Sequence, residues 1–374
     1  MRIAILHNRD HLVLEDDPGR EAREDVVRVA AAAAQALAGG RREVTLVPVG
    51  KDALEISRAL AEHNPDVVLN LCESLLGDSR GEMVVPAILD LAQVPYTGSP
   101  ALALGLALHK DKAKELLRAR DVPTPDFRVL RSVADVINVD LPYPLIVKPS
   151  REDASIGIDF DSVVKDKAQL GKAVGRVLRT FDQPALVERY IEGHEVYVPL
   201  LGNAPRRALP LSQVKFGPAF TGRPALVTYR AKWEASSPEC LDSNPMPCEL
   251  PAAVQKECVR VAMEAFDALE CRDYGRVDLR VTPAGECYVI DINPNCDLHP
   301  EAGFARASAA AGISYSDLAL HLVELALERR HGNQASRTGR QSPARGSVGA
   351  HRNVHPTRGG LRARAHRPRA RQHE

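Results

Sequence analysis

Two apolar segments decide the fold of this chain: GRVDLRV at residues 275–281 and CYVIDIN at residues 287–293. Side chains of a β-strand point alternately to its two faces, so Arg276 and Asp278 share one face of the first segment. By the same rule Asp291 and Asn293 share one face of the second. The residues between them, PAGE at 283–286, are typical of a turn. The pattern therefore predicts a β-hairpin.

The predicted hairpin places two carboxylates opposite each other. If residues 283–286 form the loop, Asp278 faces Asp291, and like charges at this distance repel unless a cation lies between them. A hard cation such as Mg²⁺ fits, with the amide of Asn293 as a third oxygen ligand. Two alternatives stay open: a charged, solvated hairpin face, or a register slip of one residue that breaks the pairing.

A second segment, LIVKPSREDASIG at residues 145–157, joins an apolar strand to a small polar loop. Such a loop can fold over phosphates and donate backbone N–H groups, while Lys148 supplies a positive charge. It is not a Walker A motif, because no Gly-Lys-Ser/Thr ends it. The alternative is a solvated lysine at a strand end. A third segment, residues 186–196, is typical of strand, turn and strand, and offers acids and backbone groups to a base and ribose.

Strands and helices alternate over the first hundred residues. We predict strands at residues 2–6, 43–49 and 66–71 and helices at 21–38 and 53–62. This βαβαβ order is typical of a parallel, doubly wound sheet. Further along, the pattern predicts strands at 141–148, 185–190 and 195–201, helices at 165–180, 251–270 and 315–329, and irregular structure over 205–248.

The three segments, in this order, resemble the ATP-grasp fold, and more closely the D-alanine–D-alanine ligases. The resemblance spans residues 66–328 and includes PYTGS at 95–99, LHK at 108–110, YRAK at 229–232 and AGISY at 311–315. It implies an α/β chain (α+β in its ATP-grasp part). An N-terminal doubly wound parallel-sheet domain, residues 1–100, would precede a two-lobed ATP-grasp domain with a small central lobe, 101–186, and a C-terminal lobe, 187–328, that holds the metal site.

The resemblance also implies roles for individual residues. It implies that Lys110 and Lys148 contact the ATP phosphates and that Glu152 and Ser155 belong to the phosphate loop. It implies that Glu188, Arg189 and Ile191 line the adenine pocket and that Glu195 binds the ribose. The metal ligands are Asp278, Asp291 and Asn293, although the family usually has glutamate at the second position. The reacting phosphoryl group is approached by Arg276 and, from a mobile lid, by Lys232.

The implied activity is that of an ATP-dependent, ADP-forming carboxylate–amine ligase that makes an amide through an acyl phosphate. It implies ATP and two Mg²⁺ ions, with Mn²⁺ as a substitute, small carboxylate and amine substrates, and a homodimer. Two alternatives remain: a true D-alanine–D-alanine ligase, or an ATP-grasp protein that binds nucleotide without turnover.

Departures from the family pattern lie on the amino-acid side of the site. Ala154 occupies the position where the family has a substrate-side serine in the phosphate loop, and Trp233 the position of the tyrosine that ends the lid motif. The chain has PNCDLHPEAG at residues 294–303 where the family has a stretch that receives the second D-alanine. Asp297 and Glu301 there favour a cationic or amine-rich acceptor, or are simply exposed loop acids. We therefore predict an amino acid or small peptide substrate rather than D-alanine dimerisation.

The composition is that of a globular enzyme of more than one domain, with 374 residues, 44% hydrophobic and 26% charged. No stretch approaches twenty apolar residues, and the start of the chain lacks the features of a signal peptide, so we expect a cytoplasmic protein without a membrane span. The seven cysteines contain no Cys-x-x-Cys pair and indicate neither a disulfide framework nor a zinc site.

The net charge of zero conceals a basic tail. Residues 329–374 contain twelve arginines, no lysine and one acid, Glu374. Their composition predicts disorder, because few apolar groups are available to offset the ordering entropy. Such a tail is either a dispensable extension or an arm that binds nucleic acid or another polyanion.

Overall fold

The computed structural model describes residues 1–9, 20–50 and 52–338. Residues Met1–Asn333 form one compact unit. Residues 339–374, most of the predicted basic tail, lie outside the described residues, as do residues 10–19. No helix in the described part is long and apolar enough to cross a membrane.

The N-terminal sheet has three parallel strands in the order β2-β1-β3. Its elements, in chain order, are β1 (Arg2–Asn8), α1 (Arg20–Leu37), β2 (Glu43–Val49), α2 (Leu54–His63), β3 (Val67–Asn70) and α3 (Val84–Leu91). Successive side chains of β1 enter different cores: Ile3 and Ile5 pack with α1, whereas Ala4 and Leu6 pack with α2 and α3. Burial of both faces explains the continuous apolar runs and confirms the doubly wound prediction.

A four-stranded antiparallel sheet follows, in the order β4-β7-β5-β6. The elements are α4 (Ala101–Leu108), α5 (Lys110–Ala119), β4 (Phe127–Leu130), β5 (Leu145–Pro149), β6 (Val163–Val164), α6 (Lys167–Phe181) and β7 (Ala185–Arg189). Leu145 and Val147 of β5 pack against Leu170 and Val174 of α6. The strand predicted at 141–148 begins only at Leu145, because the prolines that precede it cannot donate to a ladder.

The largest sheet has the order β11-β10-β8-β12-β13, with β9 paired to β8. Its elements and the remaining helices are β8 (His194–Leu201), β9 (Arg207–Ala208), β10 (Ser212–Phe216), α7 (Tyr229–Trp233), α8 (Pro238–Leu241), β11 (Ser243–Pro247), α9 (Ala252–Ala268), β12 (Tyr274–Val281), β13 (Cys287–Asn293), α10 (Gly303–Ala310) and α11 (Tyr315–Thr338).

The prediction of irregular structure over residues 205–248 was wrong. That segment contains three strands and two short helices, β9 to β11 with α7 and α8. Strand β10 pairs with β8 on one side and β11 on the other. β11 reads SNPMP, and two prolines are tolerated because it lies at the edge of the sheet. The division into domains at residues 100, 186 and 328 stays a prediction.

Candidate active site

The hairpin of β12 and β13 brings the predicted carboxylates together. Asp278 pairs directly with Asp291, and Arg276 with Asn293. The predicted loop is wrong by one residue, since it covers residues 282–286, but the ladder shifts register after Asp278 and leaves Ile290 as an extra residue. This bulge restores the predicted opposition of the two carboxylates.

Each of these carboxylates is paired with a cation of the protein. Asp278 receives two hydrogen bonds from Arg276, at 2.7 and 2.8 Å, and one from the amide of Asn293 at 3.2 Å. Asp291 receives two from Nζ of Lys110, at 2.9 and 3.0 Å. Burial opposes ionisation of Asp291, but the lysine outweighs it and holds the pKa of that carboxyl below its ordinary value.

Lys110 joins the hairpin to the phosphate loop. Its Nζ also contacts Oδ1 of Asp153 at 2.8 Å, and its own backbone N–H donates to the carbonyl of Ser150. Burial disfavours the charge, yet the two carboxylates raise the pKa of Lys110 above its ordinary value. The lysine is therefore a fixed cation that connects Asp291 to the loop.

The donor set fits a magnesium site. Two carboxylates and an amide, those of Asp278, Asp291 and Asn293, are hard oxygen ligands on paired residues of one hairpin. Within the described ranges no group of three or more His, Cys, Asp or Glu side chains is placed to hold a metal ion. Proteins usually hold Mg²⁺ through one or two carboxylates, while waters and substrate phosphates take its other positions.

Lys148, Glu188 and Lys114 form a buried triad of charges. Glu188 contacts Nζ of Lys148 at 2.7 Å through one oxygen and Nζ of Lys114 at 2.6 Å through the other. Nζ of Lys114 also donates to Oγ1 of Thr124 at 2.7 Å. Burial lowers the pKa of Lys114 to about 8, against the attraction of Glu188, and the two lysines hold the pKa of Glu188 below its ordinary value against its own burial.

Lys114 was missed in the sequence. Its signal was the spacing, since Lys110 and Lys114 lie four residues apart on one face of α5. Lysines at that spacing are usually solvated, so only the tertiary structure, through the ion pair with Glu188 of β7, identifies Lys114 as an interior residue.

The predicted adenine pocket is only partly assembled. The carboxylate of Glu188 is occupied by the two lysines, the Arg189 guanidinium lies 5.4 Å from the centre of the Tyr288 ring, and Ile191 is buried with its carbonyl accepting from Arg280. None of these three lines the cavity that contains Lys148. Their adenine role stays a prediction.

The phosphate loop has a backbone that favours glycine. Ala154, Ser155 and Gly157 have positive φ values of 54°, 62° and 78°. A Cβ on Gly157 would lie 2.7 Å from Cγ of Pro149 and 2.8 Å from Cζ of Phe181, so a larger residue would force these side chains to shift. The lid residue Trp233 donates from its indole nitrogen to the carbonyl of Ala154 at 3.0 Å. The predicted lid therefore contacts the loop directly.

One cavity, here called the lysine cavity, collects seven of the predicted site residues: Lys110, Lys148, Glu152, Ser155, Glu195, Asp278 and Asp291. Glu195 accepts a hydrogen bond from the hydroxyl of Tyr197 at 2.8 Å and contacts Arg280 at 3.3 Å. Burial raises the pKa of Glu195 despite that arginine. The lysine cavity therefore contains the two lysines predicted to contact phosphates and the two carboxylates predicted to bind the metal.

A second cavity, here called the acidic cavity, adjoins the first, and the two share Glu152 and Asp153 in their walls. It contains the remaining predicted catalytic groups, Arg276 and Lys232, together with Asn293. Its other acids are Asp25, Glu73 and Glu82, which sequence reasoning did not assign, and Asp297, for which it left a role toward the acceptor open. Arg276 lines the acidic cavity, and Asp278, with which it pairs, lines the lysine cavity.

The fold and the two cavities define an ATP-grasp protein. The family model for the D-alanine–D-alanine ligase C-terminus matches residues 116–324. A D-alanine–D-alanine ligase of Syntrophotalea carbinolica is 32% identical over 296 residues, 79% of this chain and 89% of that protein. The chain belongs to the D-alanine–D-alanine ligase family, as the resemblance predicted.

Other relatives extend this comparison. An uncharacterized protein, y4sG, of Sinorhizobium fredii is 36% identical over 271 residues, 71% of this chain and 76% of that protein. The crystal structure of the D-alanine–D-alanine ligase from Bacillus anthracis complexed with ATP has a TM-score of 0.69 and 21% identity, and covers 89% of this chain and 99% of that chain. This likeness confirms the fold. Family membership confirms the predicted class, an ATP-dependent ligase that forms ADP, and implies ATP and a divalent metal.

Proposed function

We propose that this protein joins a small carboxylate to an amine through an acyl phosphate, and that its substrates are not two molecules of D-alanine. The observation that carries the proposal is the meeting of Lys110, Lys148, Arg276, Asp278 and Asp291 in two adjoining cavities. A scaffold without turnover would have no need for this set. In the structure the carboxylates of Asp278 and Asp291 are paired with Arg276 and Lys110. On binding, a metal replaces these cations beside the carboxylates, and phosphates replace the carboxylates beside the cations.

Each charged group has a role in this proposal. Lys110 and Lys148, with Glu152 and Ser155 of the loop, bind the phosphates, and Lys232 reaches the γ-phosphate from the lid. Asp278, Asp291 and Asn293 hold two magnesium ions, for which manganese substitutes. When bound, these ions neutralise the phosphate charge. For the base and ribose we retain Glu188, Arg189, Ile191 and Glu195.

The reaction proceeds in two displacements. A carboxylate oxygen of the first substrate attacks the γ-phosphorus, the bond to the bridging oxygen breaks, and ADP leaves. The amine nitrogen of the second substrate then attacks the carbonyl carbon, the bond to phosphate breaks, and the nitrogen loses a proton as the amide forms. Arg276 and Lys232 stabilise charge on the transferring group. The contact of Trp233 with Ala154 closes the lid over the loop and excludes water that would hydrolyse the intermediate.

The case against D-alanine dimerisation rests on the acidic cavity. The wall offers the methyl group of Ala154 and the indole of Trp233 where the resemblance implies hydroxyl groups. A site that has lost hydroxyl donors loses the means of fixing that substrate. The carboxylate of Asp297, which also lines this cavity, would repel a D-alanine carboxylate. The second candidate, a true D-alanine–D-alanine ligase, is favoured by the names of relatives such as the Syntrophotalea protein.

The test is ADP release by the purified full chain with Mg·ATP across L- and D-amino acids, singly and in pairs, with products identified by mass spectrometry. We expect stimulation by a pair other than D-alanine with D-alanine, with a condensed product. Stimulation by D-alanine alone would establish the second candidate. ATP binding without ADP release under every mixture would contradict the ligase proposal.

We further propose that the protein is a cytoplasmic homodimer, which rests on the resemblance to the family. Sedimentation velocity tests the oligomeric state, and a single monomeric species at micromolar concentration would contradict it.

A further inference from the structure

Arg280 is a buried cation of β12 that lines neither the lysine cavity nor the acidic cavity. It is 4% exposed, and because side chains alternate along a strand, it shares a face of β12 with Arg276 and Asp278. In the ladder between β12 and β8 it pairs directly with Glu195. A buried guanidinium is costly unless its donors are satisfied, so the groups that accept from it are a guide to its role.

The guanidinium of Arg280 joins three segments of the chain. Its Nη1 donates to Oε2 of Glu195 at 3.3 Å and to the carbonyl of Ala225 at 2.9 Å. Its Nε donates to the carbonyl of Ile191 at 2.9 Å, and its Nη2 to the hydroxyl of Tyr190 at 3.2 Å. That hydroxyl in turn donates to the carbonyl of Ala225 at 2.9 Å. One planar fork of donors therefore holds strand β8, the residues before it and the residues before α7.

Two of these segments form part of the wall of the lysine cavity. Glu195 lines it, and so do Leu226 and Val227, which directly follow Ala225 in the chain. Arg280 lies behind this wall and binds both parts of it. The residue therefore fixes the relative position of groups that a nucleotide in the lysine cavity would contact.

The charge of Glu195 depends on this arginine. Glu195 is 7% exposed, and burial raises its pKa, whereas the charge of Arg280 acts in the opposite direction. Oε1 of Glu195 accepts from the hydroxyl of Tyr197 and Oε2 accepts from Arg280, so each oxygen retains a second lone pair. Two remaining lone pairs on one carboxylate can accept hydrogen bonds from the two adjacent hydroxyls of a ribose.

We propose that Arg280 is a positioning residue for the ribose of ATP, which holds Glu195 charged and oriented toward the ribose hydroxyls and fixes the backbone at Ala225 beside it. The inference rests on the proposed function and adds a residue to the same nucleotide site. Because Arg280 lies behind the cavity wall, its effect passes through Glu195. Without Arg280 the buried carboxyl group retains a proton more readily, and a neutral carboxyl group is a weaker acceptor.

The test measures nucleotide binding separately from turnover. Calorimetry with the full chain and Mg²⁺, without carboxylate or amine substrates, compares ATP with 2′,3′-dideoxy-ATP, which lacks both ribose hydroxyls. We expect the wild type to bind ATP about 10- to 100-fold more tightly, the effect of hydrogen bonds to a charged group. Equal binding of the two nucleotides by the wild type would overturn the proposal.

A variant and its matched control assign this preference to Arg280. Arg280→Gln should reduce the preference for ATP at least about fivefold, because Glu195 loses its cation. A defect of packing alone would weaken the binding of both nucleotides equally and leave their ratio unchanged. Arg206→Gln is the control, since Arg206 also contacts a carboxylate, that of Asp267, and a backbone carbonyl, that of Cys271, but lines neither cavity. It should retain the preference.

Two further variants keep the test decisive. Arg280→Lys retains the charge but contacts fewer acceptors than the guanidinium fork, so we expect a smaller loss of preference. An undiminished preference in Arg280→Gln, or in Arg280→Lys if the glutamine variant does not fold, would overturn the proposal. In a Glu195→Gln background, Arg280→Gln should cause no further loss of preference, and an equal further loss would show that Arg280 does not act through Glu195.

Turnover distinguishes this inference from the proposed function. A ribose preference that depends on Arg280, without amide formation from any pair of substrates, would refute the ligase and leave the role of Arg280 intact. Amide formation by a protein whose ribose preference is unaffected by Arg280→Gln would keep the ligase and refute the positioning role.

Discussion

Replacing Glu188 by glutamine should destabilise the protein more than any single change at its surface. Glu188 is 1% exposed and is the only described carboxylate in contact with Lys114 and Lys148, at 2.6 and 2.7 Å. Glutamine has almost the same shape but no charge. The substitution therefore leaves two lysine side chains in the interior without a carboxylate in direct contact.

The magnitude follows from those two distances. With an effective dielectric constant of about 20, unit charges at such separations attract by about 6 kcal/mol per contact. Part of this is recovered because Lys114 loses its proton, and breaking a buried pair typically costs about 3–5 kcal/mol. We expect a loss of that size in the free energy of unfolding at neutral pH.

The pH dependence gives a second measurement. Lys114 has a native pKa of about 8 against an ordinary 10.5, so the unfolded chain binds more protons between these values. The free energy of unfolding of the wild type should therefore rise with pH across that window. Without Glu188 the native pKa falls further, and the rise should begin at a lower pH.

Urea denaturation followed by circular dichroism at several pH values measures both effects. The control is Glu264→Gln, which removes an exposed partner of Arg260 and should leave the urea midpoint unchanged. A loss below about 1 kcal/mol for Glu188→Gln, with the wild-type pH profile retained, would refute the view that Glu188 compensates two buried cations.

Three further predictions concern the site and the tail. Asp278→Asn should abolish magnesium-dependent ADP release in a protein that still folds; full activity would show that this hairpin does not hold the metal. Gly157→Ala should raise KM for ATP and cost about 1–3 kcal/mol of stability, because its φ is 78° and the new Cβ meets Pro149. Gly171→Ala, which has open space around it in α6, is its control, and equal effects on KM would contradict the steric argument. Deletion of residues 339–374 should leave ADP release unchanged, and a collapse of turnover would show that the tail is required.

The chemistry-bearing elements could be predicted because they are local. Alternation along residues 275–293 defined a hairpin and put Asp278 opposite Asp291, and the pairing confirms this although the loop was wrong by one residue. The order of apolar runs predicted the N-terminal parallel sheet in the same way. Each of these patterns repeats over a few residues, and periodicity reports burial directly.

Elements stabilised by distant partners could not be predicted. Strand β11 contains two prolines and has little β propensity, yet it forms because β10 offers it an unpaired edge. The segment that contains it therefore appears irregular in the sequence, where no signal identifies the partner.

The sequence by itself determined the elements of the candidate site: local patterns indicated the polar loop after Lys148 and a hairpin of carboxylates and an arginine, and the family resemblance indicated Lys110. Only the tertiary structure decided their partners. It paired Lys110 with Asp291 across 181 positions of the chain, buried Lys114 behind Glu188, and separated Asp297 from Glu301. The physical reason is that charge compensation depends on distance and burial in space, which adjacency along the chain does not specify.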